Sequence, residues 1–139
     1  MMNFILLDYS GHYFDEVAGT GLPRKREGKF IQVRHHPSAT EYLVLSPRGL
    51  SAYHANIAER FFSSRGVKGA FNRKRDHYGL SSSEWEIVGG GMWEVDEGAM
   101  DVRFFGRSQA YGAFDPEGLG RRLRGLPVYS GYSIAVDGR

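Results

Sequence analysis

The sequence predicts an α/β (α+β) protein, a single mixed β-sheet of about six strands packed by two helices, in one domain over residues 1–139. Three observations carry that expectation. Short apolar runs with period-2 alternation recur along the chain, and two segments carry helical spacing or helical end signals. Their order is β, β, β, α, β, β, α, β, with hairpin links and longer crossovers mixed, as in a mixed sheet with helices packed on it. The chain has 139 residues, 41% hydrophobic residues and 19 glycines, enough for one core with many tight turns.

The first strand is Asn3 to Asp8, "NFILLD". The stretch that follows is turn-rich and ends in a basic knot, Arg24–Lys25–Arg26, read as a solvated loop. Lys29 to His35 alternates Phe30, Gln32 and Arg34 against Ile31, Val33 and His35, a strand with one side wetter than the other. Glu41 to Ser46, "EYLVLS", is the next strand, stopped by Pro47–Arg48–Gly49. A helix then opens, with Ser51 as its expected N-cap and Tyr53, Ile57 and Phe61 as a buried i, i+4, i+8 stripe. Gly66 ends it. Ser63 to Ser83 reads as a long polar connection without regular structure. Glu84 to Val88 is a strand, and after Gly89–Gly90–Gly91 it continues through Met92 to Val95 across a kink or bulge. Asp96–Glu97–Gly98 turns the chain into Met100 to Phe105. Asp115 as N-cap and Pro116 at the first position predict a short helix ending at Gly125. Val128 to Val136 is the last strand.

Composition narrows the chemistry. There is no cysteine, so disulfides and thiolate metal sites are excluded. The net charge is +2 and the pI about 9.0, mildly basic and suited to an anionic ligand. The N-terminus lacks a signal-peptide pattern and no window reaches transmembrane length, so a cytoplasmic protein is expected. The five histidines show no metal-ligand spacing, and no G-x-S-x-G elbow is present.

Four features remain. His54 falls at the start of the first helix, where the positive end of the helix dipole favours a neutral ring. The triple glycine lacks phosphate-loop spacing and reads as a bulge or a close backbone approach. Phe104 to Gly112, "FFGRSQAYG", turns after a strand with small residues around Ser108 and Ala110, a pattern in which backbone N–H groups converge on an anion, with Arg107 beside them. "KGAFNRKRDHY", Lys68 to Tyr78, interleaves cations and aromatics, a pattern also used for single-stranded nucleic acid.

Three segments in order, "AYHANI" at Ala52–Ile57, "VGGG" at Val88–Gly91 and "FGRSQAYG" at Phe105–Gly112, resemble the phosphohistidine phosphatase family, also called the Janus family. The resemblance covers most of the chain from Gly28. It implies a single α/β domain that removes phosphate from phosphohistidine in proteins without a metal or cofactor. His54 falls on the family's catalytic histidine, acting as base or nucleophile. Lys29 falls on its phosphate-binding lysine, Ser108, Gln109 and Ala110 on its phosphate-cradling loop, and Tyr53 on the tyrosine before the histidine. Arg107 lies beside that loop. The chain departs from the pattern at Met92, where an arginine commonly follows the triple glycine. It lacks the second histidine found after the Tyr-Gly of the animal enzymes, Pro116 lying near that position. Its connection from His54 to Gly89 is also longer. The implied partner is a phosphorylated protein or small phosphorylated substrate, handled by a monomer with no membrane. The alternatives are an inactive phosphate- or phosphopeptide-binding regulator and, least favoured, nucleic-acid binding through residues 68–78.

Overall fold

The computed structural model describes residues 2–137. Six strands form one mixed sheet: β1 (Asn3–Asp8), β2 (Lys25–His35), β3 (Thr40–Pro47), β6 (Trp85–Asp96), β7 (Asp101–Phe105) and β8 (Ser133–Val136). Between β3 and β6 lie helix α1 (His54–Ser64) and two short strands, β4 (Gly69–Phe71) and β5 (Tyr78–Leu80), which pair as a separate hairpin. Helix α2 (Leu119–Arg124) stands between β7 and β8. The sheet order is β1-β3-β2-β6-β7-β8, with β1 parallel to β3, β8 parallel to β7 and antiparallel pairs between. The expected fold class of one mixed six-stranded sheet with two helices is thus observed.

Period-2 alternation divides the apolar residues between the two sheet faces. Ile31, Val33 and Val44 face α1 and pack on Ala55, Ile57, Ala58, Phe61 and Phe62. Phe30, Leu43, Leu45, Trp93 and Phe104 face the other way and pack on Phe114, Leu119, Leu123 and Tyr129. The helices therefore cover opposite faces. Phe61 and Phe62 are fully buried, each stabilising the fold by about 1.5–3 kcal/mol relative to exposure.

The structure revises several local expectations. The basic knot is not a free loop: Lys25 and Arg26 begin β2, paired with Asp96 and Val95, and Arg26 is ion-paired to Glu97 at 2.7 Å. The turn-rich stretch before it contains a six-residue π-helix, His12–Val17. The supposedly wetter side of β2 lies under α2, and Gln32 is fully buried there. Ser51 does not cap α1. Its buried hydroxyl bonds the Ser46 hydroxyl at 2.7 Å and accepts from Arg60 at 2.8 Å, and Tyr53 is the N-cap. Tyr53 also leaves the apolar stripe: it is 59% exposed, whereas Ile57 and Phe61 are fully buried. The polar connection contains the β4–β5 hairpin. Helix α2 starts at Leu119 after Gly118 in the left-handed region (φ 71°), not at Pro116. Asp115 instead accepts the Glu117 N–H at 3.1 Å and an Arg34 N–H at 2.9 Å. The last strand is shorter than expected, because Pro127–Tyr129 form a 3-10 turn before it.

The triple glycine lies inside one long strand. Val88 is an extra residue opposite β2, a bulge between the Gln32–Gly89 and Val33–Ile87 pairs. The glycines meet neighbours on both sides. A Cβ on Gly89 would lie 2.1 Å from the Ala113 carbonyl oxygen. One on Gly90 would lie 2.6 Å from the Phe30 oxygen and 2.9 Å from the His54 ring. Close approach, not a phosphate loop, explains these residues.

Candidate active site

His54 is the first residue of α1 and is 7% exposed. The helix begins here because the Tyr53 N–H donates to Asn56 Oδ1 at 3.0 Å and the Asn56 N–H returns to the Tyr53 carbonyl at 3.1 Å. The first turn lies over β6, and His54 Nε2 is 2.9 Å from the Gly91 carbonyl oxygen. A carbonyl only accepts, so Nε2 carries the proton and Nδ1 holds the lone pair. Among the described residues Nδ1 has no hydrogen-bond partner. Burial pushes the imidazole below its ordinary value of 6.5. The Gly91 carbonyl acts in the opposite direction, and the nearby Lys29 ammonium lowers it further. The ring is thus neutral near pH 7, in one defined tautomer.

A cleft of about 710 Å³ opens beside His54. Strand β2 contributes Lys29 and β6 contributes Met92, direct partners in the sheet register. The Trp93 indole donates to the Lys29 carbonyl at 3.0 Å and approaches the Ser46 carbonyl at 3.2 Å, which fixes the backbone beneath the lysine. The segment before α1 contributes Ala52 and Tyr53. The loop after β7 contributes Arg107, Gln109 and Ala110. The structure thus gathers Lys29, Tyr53, His54, Arg107, Gln109 and Ala110 around one cavity.

Ser108 is treated differently. It is fully buried beneath the loop and is not part of the cleft wall. Its N–H donates to the Gly112 carbonyl at 3.1 Å, the Gly112 N–H returns to the Ser108 carbonyl at 2.8 Å, and its hydroxyl accepts the Tyr111 N–H at 3.1 Å. These bonds close the turn. The amides of Gln109 and Ala110, by contrast, reach no acceptor among the described residues.

Three further residues of the cleft, Lys74, Asp76 and His77, come from the β4–β5 hairpin. Sequence reasoning assigned this stretch to a basic connection and not to the site. The hairpin is held to the Ser108 loop by Tyr111, whose hydroxyl donates to the Tyr78 carbonyl at 2.8 Å and accepts the Tyr78 N–H at 3.0 Å. Burial pushes the Tyr111 phenol up to about 12, so it remains a protonated donor near neutral pH.

The charges of the cleft are unbalanced. Among the described residues Lys29, Lys74 and Arg107 form no ion pair, as is also true of Arg24, Arg60, Arg65, Lys68, Arg73, Arg75, Arg121 and Arg124, so what sets the three apart is that they line one cavity. The acid in the cleft wall, Asp76, accepts from Asn72 Nδ2 at 2.6 Å. Unpaired cations, free loop amides and the start of a helix make this cavity suited to an anion. Among the described residues no three His, Cys, Asp or Glu side chains gather as a metal-holding group. No helix among them is long and apolar enough to cross a membrane.

Residues 24–132 match the family model described as Janus/Ocnus (Ocnus). The chain belongs to the Janus/Ocnus family. The matched span runs from the start of β2 to the residue before β8, so it includes every cleft residue named above. No curated protein matches the chain.

Proposed function

We propose that this Janus/Ocnus protein is a metal-independent phosphatase acting on phosphohistidine or a related phosphorylated substrate, with His54 as its central residue. The observation that carries the reading is a neutral histidine, oriented by the Gly91 carbonyl, in a cleft whose cations lack acidic partners. Phosphoryl transfer needs chiefly positioning and neutralisation of negative charge. Lys29, Arg107 and the Gln109 and Ala110 amides supply both to the phosphoryl oxygens.

In the step itself a water oxygen attacks phosphorus and Nδ1 of His54 takes the water proton. The bond from phosphorus to the substrate imidazole nitrogen breaks, and its electron pair stays on that nitrogen. The proton held by His54 then passes to the leaving imidazole, directly or through solvent, and inorganic phosphate departs. No redox partner is required. The P–N bond is labile, so the catalytic demand is modest.

A binding role without turnover has one specific observation in its favour. Met92 lines the cleft beside Lys29, at the position where the resemblance would put a phosphate-holding arginine. Arg107 lines the same cavity and is the candidate replacement. Nucleic-acid binding through residues 68–78 is less well supported. Tyr78 is buried, and Phe71 packs against both Tyr78 and the Arg75 guanidinium, so neither aromatic offers a free face for a base.

The test is phosphate release from a phosphohistidine peptide by wild type and His54→Ala, both in chelator. Release that disappears in the variant is expected. Equal release by both proteins would refute the role of His54, and phosphate binding without release would leave the binding module.

A further inference from the structure

We propose that the β4–β5 hairpin builds a second anionic subsite from Lys74 and His77, which selects phosphorylated segments with an acidic residue next to the phosphorylated one. The inference rests on the phosphate-site reading above and adds the class of polypeptide that site accepts.

The hairpin is an ordered arm. Asn72 organises its tip: its side-chain oxygen accepts the Asp76 and His77 N–H groups at 3.0 and 3.2 Å, and its own N–H donates to the His77 carbonyl at 2.9 Å. Phe71 stacks edge-on against Tyr78 with ring centroids 5.1 Å apart, and the Arg75 guanidinium lies 4.2 Å from the Phe71 ring centre. Tyr111 ties the base of the arm to the Ser108 loop through two hydrogen bonds, and the His77 ring lies 5.0 Å from the Tyr111 ring, centroid to centroid. Residues of the arm that enter the cleft therefore hold a defined position relative to the Gln109 and Ala110 amides.

The chemistry of those residues points to an anion. Lys74 is exposed at the rim and forms no ion pair among the described residues; Asp76 keeps its negative charge, but its Oδ1 is tied back to the hairpin tip by the Asn72 amide at 2.6 Å. His77 adds an imidazole ring at the same rim. Lys29, Arg107 and the loop amides already suffice for one phosphoryl group, so Lys74 is a cation beyond that need. The cavity, at about 710 Å³, is of a size that holds a drug-sized ligand, well beyond a single phosphate. Tyr53, 59% exposed at the cleft wall, offers an aromatic surface for a polypeptide backbone or side chain. A carboxylate flanking the phosphorylated residue matches this arrangement, and a lysine there would be repelled.

The test uses peptides with a hydrolysis-resistant phosphonotriazole in place of phosphohistidine, so binding is read whether or not turnover occurs. One peptide has aspartates on either side and the other has asparagines. Wild type is expected to bind the aspartate peptide about tenfold more tightly by calorimetry, with the ratio falling as salt is raised. In Lys74→Ala the ratio should fall towards one, and in His77→Ala it should fall less. Equal binding of the two peptides, or a preference that survives in both variants, would overturn the subsite even if the phosphatase reading stands. Failure to bind either peptide would overturn it too, and the phosphate-release assay then reports separately on the parent reading. A preference for a second phosphate in place of aspartate, measured with pyrophosphate against phosphate in the same variants, would reassign the arm to a small diphosphorylated ligand and overturn the peptide proposal.

Discussion

Two polar clusters sit on opposite faces of the same sheet, and they differ in what their charges touch. On the α2 face Glu41 is fully buried and surrounded. Gln32 Nε2 and Arg34 Nε donate to its Oε2 at 2.9 and 3.1 Å, and Arg122 Nη2 lies 2.8 Å from its Oε1, off the hydrogen-bond direction. Gln32 also exchanges hydrogen bonds with the Asp115 backbone, and Arg34 pairs with the Asp115 carboxylate. On the α1 face the cleft cations face no such partners, and the His54 ring keeps a free nitrogen. The first cluster is closed on itself and joins the segment before α2 to the sheet. The second leaves its electrostatics open to a ligand. The contrast is also one of burial: Glu41 is fully buried among partners from the chain, whereas Lys29 is half-buried and Lys74 and Arg107 are exposed at the rim of an open cavity.

The largest expected effect breaks the closed cluster. Glu41→Ala would leave Arg34 and Arg122 without their shared buried acid and should cost about 3–5 kcal/mol in urea unfolding. A loss below about 1 kcal/mol would mean that the cluster holds little together, and the contrast with the cleft would collapse. His54→Ala tests the open side. Its phosphate release should fall by about 10²–10⁴-fold, while the unpaired Gly91 carbonyl costs about 1–3 kcal/mol of stability. Unfolding of the variant at room temperature would show that the ring belongs to the structural class after all.

Gly90→Ala sharpens the boundary between the two faces. Its methyl would push on the Phe30 carbonyl, which is backbone and cannot swing aside, and on the His54 ring. The expected cost is about 1–3 kcal/mol, with disturbed His54 chemical shifts as the sign that the site has moved as well. The smallest effect is electrostatic. Lys29→Met removes a positive neighbour, so the His54 titration followed by NMR should move upward, towards the ordinary imidazole range. A shift in the other direction would mean that Lys29 does not face the ring.

The same lowered value fixes two pH dependences. On the proposed mechanism the neutral ring of His54 is the base, so the rate of phosphate release should rise through the depressed pKa and level off above it. For stability, the unfolded chain takes up a proton at 6.5 and the folded one only at lower pH. The contribution is therefore intact above 6.5 and is lost as pH falls through the interval between the two values.

Much of the sheet was legible because its strands carry their own signal. Asn3 to Asp8 and the Asp96–Gly98 turn follow from local pattern, and the bulge at the triple glycine follows from glycine inside a strand. What was missed depends on distant partners. Strands β4 and β5 have three residues each and contain Gly69 and Gly79, so alternation cannot reveal them. Tyr111, more than thirty residues away, supplies the bonds that hold them. Lys74 and His77 were hidden from the site for the same reason. Glu41 was overlooked, although its period-2 phase with Leu43 and Leu45 aims it at the interior. Tyr53 illustrates the opposite error: its spacing fits the stripe, but as the N-cap it has extended backbone (φ −131°, ψ 155°), which turns its ring out of helical phase. His54 itself was legible as a helix-start histidine, but its orienting partner was not, because a main-chain carbonyl leaves no trace in residue identity.

That partner has an evolutionary consequence. A histidine steered by an aspartate can lose its orientation in one substitution, whereas the oxygen that steers His54 is present whichever amino acid occupies position 91. Mutation can still displace it by crowding the strand, but cannot delete it.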